Sequence, residues 1–182
     1  MKSDLQEHHR HSLRLQGYDY AQEGAYFVTV CTRGKECVFG GVVDGEMQLS
    51  EIGKVIEECW RAIPRHFPNV TSDVFVVMPN HVHGILMITG TGRGTACRAP
   101  TTERFSHPVA NSLPTVIRSF KSVVTRRVGK LHNALGISLW QRNYYEHIIR
   151  SEESLEEIRR YIAENPFRWA NDRENPANGR KR

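Results

Sequence analysis

Two histidines at alternate positions of an apolar segment are the first residues whose spacing suggests chemistry. His81 and His83 flank Val82 within a run that is otherwise mostly aliphatic. Alternate side chains of a β-strand point to the same face, so the two imidazoles would share a face with their Cα atoms roughly 6.5–7 Å apart. Two imidazoles at that separation can bind one metal ion. Surface histidine pairs on strands are more common than metal sites, so this pair alone is a weak indication.

A second pair lies near the end of the chain, where Tyr161 and Asn165 are four residues apart. In a helix this spacing places them one above the other on the same face. If Leu155 and Ile162 lie on the apolar stripe, Tyr161 falls at its flank, roughly 90° from the centre, and Asn165 at its near edge. A tyrosine at a flank usually packs, and an asparagine near a helix end often caps it. A buried amide, however, requires a polar partner.

Together these four side chains would form a nuclease site. A bound divalent ion polarises a phosphate oxygen and stabilises charge as the phosphorus is attacked. A free phenol has a pKa of about 10 and is a poor nucleophile at neutral pH, so it needs a nearby cation or base. Attack would give a phosphotyrosine bond and a free 3′-hydroxyl. Because that bond keeps the energy of the phosphodiester, a second 3′-hydroxyl can reverse the step without ATP.

Hydrophobic periodicity predicts the elements that position these residues. The apolar faces are all buried if one antiparallel sheet carries helices packed on one face, an α+β fold. Ser50 is the expected N-cap of the first helix, and Pro166 is expected to end the last one. The predicted strands cover 26–32, 74–78, 82–88 and part of 140–149, a hairpin covers 39–49, and the helices cover 51–67, 113–128 and 151–165.

The chain reads as one domain with a polar segment at each end. Residues 1–23 and 170–182 are polar and are expected to lie outside the domain of residues 24–169. A stretch near 89–110, rich in Gly, Thr, Arg and Pro, is predicted to be a mobile loop. No segment approaches the roughly 20 apolar residues of a membrane span. The four scattered cysteines form no Cys-x-x-Cys pair, which favours a reducing, cytoplasmic location.

Charge is distributed unevenly along the chain. Residues 112–182 carry 14 Lys and Arg against 8 Asp and Glu, whereas residues 1–111 carry 11 against 12. The net charge of +5 therefore comes from the last two-fifths of the sequence. Such an asymmetry indicates a polyanionic partner, because Lys and Arg displace the counterions of a phosphate backbone, although a solvated basic surface gives the same count.

These motifs together resemble the single-tyrosine HUH transposases of small insertion sequences, and most of all the REP-associated tyrosine transposases. The similarity runs from about Arg14 to Pro166, nearly the whole chain. The matching segments are 17–20 (GYDY), 24–32 (GAYFVTVCT), 76–84 (VVMPNHVHG), 119–122 (SFKS), 139–150 (LWQRNYYEHIIR), Tyr161-Ile162 and Asn165-Pro166.

The resemblance implies a ferredoxin-like fold and assigns roles to the two pairs. His81 and His83 match metal ligands, Tyr161 matches the nucleophile, and Asn165 matches a third ligand, where insertion-sequence members commonly carry Gln. The metal would be Mg²⁺ or Mn²⁺, and imidazole ligands favour the softer Mn²⁺. The implied substrate is single-stranded DNA beside a DNA hairpin, and insertion-sequence members are often homodimers that share the tyrosine helix.

The basic half also supplies candidate DNA contacts. Lys and Arg side chains on the second and third helices are expected to bind phosphates, while Tyr144 and Tyr145 would stack bases or fill the core. Tyr161 is preferred as nucleophile over these two because of its helix partner. The predicted DNA-binding set is Arg118, Lys121, Arg126, Arg142, Tyr144 and Arg160.

Two other functions fit the same residues. One is a nucleic-acid binding module that has lost catalysis or binds RNA, against which the joint presence of His81, His83, Tyr161 and Asn165 argues. The other is a HUH nickase that starts plasmid or phage replication, which would share the chemistry but usually carries a helicase domain. A denaturing gel that detects a covalent protein–DNA adduct separates the first of these from a nuclease.

Overall fold

The computed structural model of the protein describes residues 18–90, 109–134, 136 and 138–178. The predicted mobile loop near 89–110 lies mostly outside this part of the chain, as does most of the N-terminal segment. The main elements, in chain order, are β1 (Gly24–Cys31), β2 (Gly40–Val43), β3 (Glu46–Leu49), α1 (Glu51–Arg61), α2 (Ile63–His66), β4 (Val70–Val77), β5 (His81–Ile88), α3 (Leu113–Leu131), β6 (Tyr145–Ile149) and α4 (Glu152–Arg168).

Four of the strands form one antiparallel sheet in the order β4-β5-β1-β6. The β1-α1-β4-β5-α3-β6 connection with this order is ferredoxin-like, which confirms the predicted α+β class. The remaining strands, β2 and β3, form a separate hairpin. It turns at Asp44 and Gly45, whose φ angles of 53° and 80° suit the predicted tight turn.

The two central strands, β1 and β5, are apolar on both faces. On one face Val28 and Leu86 join a large core that includes Trp60 of α1 and Phe120 of α3. A second, smaller core on the other face contains Phe27 and Ile85 of the sheet with Leu155 and Ile162 of α4. Helices therefore cover both faces, whereas the sequence predicted one. A single helical layer would have left the second apolar face of the central strands in water.

A glycine in β5 allows the sheet to approach α1 closely. A Cβ atom at Gly84 would come within 2.3 Å of Trp60 Cζ2. The indole lies against this backbone and donates its N–H to Ser72 Oγ at 2.9 Å. This contact holds α1 closely against the strand that carries both histidines.

Helix boundaries follow the predicted signals with two exceptions. Ser50 caps α1, accepting from the Gly53 N–H at 3.1 Å. The predicted helix of 51–67 is divided at Ala62 into α1 and α2. The prediction that Pro166 ends α4 is wrong, because the helix continues to Arg168. The fixed φ of proline is helical, so only one main-chain bond is lost, and only two helical residues follow.

The segment after α4 folds back against the sheet. The sequence predicts that residues 170–182 lie outside the domain, but Asn80 Nδ2 donates to Glu174 O at 2.7 Å, and Asn178 Nδ2 donates to Ala170 O at 2.7 Å. Asp172 Oδ1 accepts from the Glu174 N–H. Polar side chain–backbone bonds hold this segment, so it lacks the apolar pattern that reveals packed elements. None of the helices in the described part of the chain is long and apolar enough to cross a membrane.

Candidate metal and nucleophile site

The histidine pair lies on the inner face of β5, beneath α4. His81 is fully buried and His83 almost so. Their ring centroids are 4.3 Å apart, which agrees with side chains that share one face of a strand. The antiparallel register with β1 sets Cys31 opposite His81 and Thr29 opposite His83.

Hydrogen bonds fix the ring of His81. Its Nδ1 lies 2.8 Å from Asn80 Oδ1. The Asn80 amide nitrogen already donates to two carbonyls, those of Lys35 and Glu174, so its oxygen must accept from His81 Nδ1–H. The lone pair of His81 is therefore on Nε2. That atom is buried and has no hydrogen-bond partner among the described residues.

His83 links the sheet to the candidate nucleophile. Its Nδ1 lies 2.8 Å from Thr29 Oγ1, and its Nε2 lies 3.2 Å from the Tyr161 hydroxyl. Tyr161 is 40% exposed, so it faces both the histidine and solvent. The phenol is thus directed at the pair on its own chain rather than into the core.

Two further oxygens approach the histidines. Asn165 is only 1% exposed, and its Oδ1 has no hydrogen-bond partner in the described part of the chain. Asp172 was not predicted, yet its carboxylate and the ligand nitrogens of His81 and His83 all lie within 4.8 Å of one another. Nothing in the local sequence marked Asp172, because a polar segment after a helix is usually solvated. Two buried ligand atoms without partners, His81 Nε2 and Asn165 Oδ1, next to a carboxylate and a second imidazole suit a divalent metal.

Burial governs the charge of the site. It lowers the pKa of His81 to about 4, against the opposing pull of Asp172 and Glu174. Burial, and then the neighbouring His81, hold the pKa of His83 well below its usual value. Both imidazoles are therefore neutral at neutral pH, the form that binds metal.

The phenol is not activated by its protein neighbours alone. Burial, followed by the charge of Asp172, raises the pKa of Tyr161, while a hydrogen-bonding contribution from Asn165 opposes the rise. The hydroxyl is protonated at neutral pH in this environment. A cation close to the hydroxyl would lower this pKa and make the phenol a better nucleophile.

A cleft of about 980 Å³ opens in front of the phenol. Tyr145, 54% exposed, stands on its rim next to Phe27, with ring centroids 6.3 Å apart. The cleft is therefore wide, aromatic and mostly basic. Its charged lining residues are Lys35, Arg142, Arg168, Arg173, Asp172 and Glu174.

Five of the six predicted DNA contacts fall into three groups. Arg142 and Tyr144 line this cleft. Arg118 and Arg160 are exposed and lie outside it, and Arg126 lines a second groove.

Lys121 was expected to bind phosphate, but its ammonium is hydrogen-bonded to main-chain carbonyls of the protein. Its ammonium donates to the carbonyls of Gln141 and Asn143 at 2.7 and 3.0 Å. Burial lowers the pKa of Lys121 to about 8. Because residues 141–144 line the cleft, Lys121 positions the wall of the cleft.

Comparison with known proteins gives one sequence relative and a shared fold. No protein-family model matches the chain. An uncharacterised protein of Haemophilus influenzae is 43% identical over 169 residues, covering 91% of this chain and 92% of the relative. The structure of a REP-associated tyrosine transposase bound to a REP hairpin superimposes with a TM-score of 0.53 at 20% identity, over 85% of this chain and 70% of that one.

A second solved structure, from Deinococcus radiodurans and provisionally described as a transposase, covers 82% of this chain and 95% of its own at 19% identity, with a TM-score of 0.46. The chain belongs to the family of the Haemophilus influenzae protein and has the fold of the REP-associated tyrosine transposase.

Proposed function

We propose that the protein is a metal-dependent endonuclease and strand transferase for single-stranded DNA beside a DNA hairpin, acting through a 5′-phosphotyrosine intermediate at Tyr161. The observation that carries the proposal is the meeting of a half-exposed phenol, two neutral imidazoles, the unsatisfied buried oxygen of Asn165 and the carboxylate of Asp172 beside one cleft. The solved protein of the same fold is a transposase bound to a hairpin, which supports the choice of substrate.

The residues that would hold the metal are His81, His83 and Asn165, together with Asp172. When bound, Mg²⁺ or Mn²⁺ would polarise the scissile phosphate and favour the ionised phenol. Imidazole and amide ligands make Mn²⁺ the better ion for assays.

Cleavage of the strand requires no reactant besides the phenol, the DNA and water. The Tyr161 phenol loses its proton to solvent, which reaches it because the cleft is open. Its oxygen forms a bond to phosphorus, the P–O3′ bond breaks, and the leaving 3′-oxygen takes a proton from water. Attack on the phosphotyrosine by a 3′-hydroxyl reverses the sequence, rejoins the strand and releases the phenol.

The other cleft residues bind and orient the strand. Arg142, Arg168 and Arg173 lie where they can contact phosphates, and the exposed ring of Tyr145 offers a surface on which an unstacked base can lie. Since Tyr161 faces His83 of its own chain, we propose that one chain is sufficient for cleavage.

Tyr161→Phe tests the assignment. With Mn²⁺ and a hairpin-bearing oligonucleotide labelled at its 3′ end, the wild-type protein should give a covalent adduct on a denaturing gel. The variant should give none, while its affinity for the same DNA stays within about twofold because only one hydroxyl is removed. Tyr144→Phe and Tyr145→Phe are matched controls and should keep the adduct. An adduct with Tyr161→Phe would remove this residue from the mechanism, and wild-type binding without an adduct would favour a binding module.

A further inference from the structure

A second groove, of about 750 Å³, lies between the solvent face of α3 and the loop that follows the helix. Lys121, Arg126 and Lys130 line its helical side, and Asn133 and Trp140 line the other. No carboxylate is among the described residues that line it. Every charged residue in the described lining is therefore basic.

The loop returns close to the helix because Gly129 leaves room for it. The Ala134 N–H donates to Gly129 O at 2.9 Å, and a Cβ atom at Gly129 would come within 2.8 Å of Ala134 O. Asn133 turns the chain with a φ of 49°, in the left-handed region that asparagine tolerates. The groove is thus a built feature of the fold, with one wall made of helix and one of loop.

Two of the three basic side chains that line the groove are available to a ligand, whereas the third, Lys121, is held by the carbonyls of Gln141 and Asn143. Arg126 and Lys130 are both exposed, and neither forms an ion pair with any described residue. Their neighbour Arg127, by contrast, pairs with Glu58 of α1 at 2.5 Å. Arg126 and Lys130 are four positions apart on the helix, a rise of about 6 Å that lets the two charges reach successive phosphates of one strand.

Among the described residues of the groove, none offers an open aromatic face on which a base could stack. Trp140, the one aromatic residue in the described part of the lining, packs against Phe39 and Phe120 and donates its indole N–H to Lys121 O at 3.1 Å. The cleft in front of Tyr161 differs, because there the ring of Tyr145 is exposed. Phosphate contacts without stacking suit a duplex, whose bases are already paired, better than a single strand.

We propose that this groove binds the phosphate backbone of the duplex stem that adjoins the strand in the cleft. The two sites are neighbours: Lys121 lines the groove and donates to Gln141 and Asn143, which line the cleft. A stem in the groove would thus lead its single-stranded end toward Tyr161. The proposal rests on the proposed function for the identity of the polynucleotide.

The test compares three probes: a short single strand, a hairpin without a single-stranded arm, and the hairpin with the arm. The double variant Arg126→Gln/Lys130→Gln should bind both hairpins about tenfold more weakly in moderate salt, and the slope of log affinity against log salt should fall by about 1.8. Its affinity for the short strand should not change. Lys54→Gln/Arg65→Gln, which removes two exposed charges from α1 and α2, is the matched control and should behave like wild type.

Equal losses for the short strand and the hairpins, or unchanged hairpin binding, would overturn the proposal. Melting temperatures that match wild type exclude misfolding, and Arg126→Glu alone, which changes the charge by the same two units, provides a second variant with a comparable expected loss. Binding is measured without metal, so that Tyr161 does not cleave the probe and the measured affinity is independent of catalysis. A hairpin-specific loss in a protein that forms no adduct would therefore support the groove while removing the proposed function.

Discussion

The candidate site depends on residues that orient the histidines as much as on the histidines themselves. Each ring has its Nδ1 held by a neighbouring oxygen, Asn80 Oδ1 for His81 and Thr29 Oγ1 for His83. Each Nε2 is thereby turned toward the cleft side of the sheet. Partners of this kind fix the orientation and basicity of metal-binding imidazoles.

Thr29→Val tests this role because it removes one hydroxyl without changing the shape of the side chain. His83 Nδ1 would lose its partner while buried, so Mn²⁺ affinity should fall about tenfold and the free energy of unfolding by about 1–3 kcal/mol. Calorimetric Mn²⁺ titration and denaturant unfolding measure the two effects. Thr32→Val, which also removes a buried hydroxyl but one bonded to Glu36 O, should weaken stability without weakening metal binding. Equal metal affinities for the two variants would mean that Thr29 does not position His83.

The sequence predicted the site residues that are recognisable from their local spacing. It did not predict the residues that reach the site through contacts between distant parts of the chain. The spacing of His81 and His83 was enough to place them on one face of a strand. Thr29 could not be assigned, since its contact with His83 depends on the register between β1 and β5. Asp172 was missed because the segment that carries it is held by polar bonds to distant residues.

At the scale of elements, α4 places Tyr161 over the sheet through a charged contact as well as through its apolar face. Arg159 bonds Asp73 through both Nε and Nη2 at 2.7 Å, next to the irregular register of β4 between Ser72 and Phe75. Periodicity predicted the helix but not its location. An amphipathic pattern specifies that one face is buried, and either face of this sheet could bury it.

Arg159→Ala should loosen α4 without removing it, since Leu155 and Ile162 remain packed. The amide protons of the helix should exchange severalfold faster, and the rate of adduct formation should fall two- to fivefold, as expected for loss of a partly exposed ion pair. Hydrogen exchange and single-turnover assays measure these changes. DNA affinity should change little, which separates positioning from binding. Glu57→Gln, which breaks an exposed pair within α1, is the control; the same loss of rate in both variants would contradict a specific role for the Arg159–Asp73 contact.

At the scale of the molecule, the two faces of the sheet have different tasks. One face, covered by α1 and α3, is continuous core. The other face has two parts. One part is apolar core that contains Ile85 and Ile162. The other part is the candidate site, which contains His81, His83 and Asn165. The returning segment 169–178 completes that half, with Trp169 6.1 Å from His81 and Asp172 among the potential ligands. The site therefore requires the whole fold, from β1 to the chain beyond α4.

Asp172 offers a test of this arrangement, because it is the only carboxylate in the cluster of potential ligands among the described residues. Mg²⁺ prefers carboxylate oxygen, whereas Mn²⁺ accepts imidazole more readily. Asp172→Asn should therefore raise the Mg²⁺ concentration that gives half-maximal adduct by about tenfold or more, and should raise the Mn²⁺ requirement less. Glu174→Gln, which alters a neighbouring carboxylate that pairs with Lys35, should leave both requirements near wild type. Unchanged or lower requirements for both metals in Asp172→Asn would show that the carboxylate is not a ligand. Its effect would then be limited to the charge that opposes ionisation of the phenol, and the ligands would be His81, His83 and Asn165.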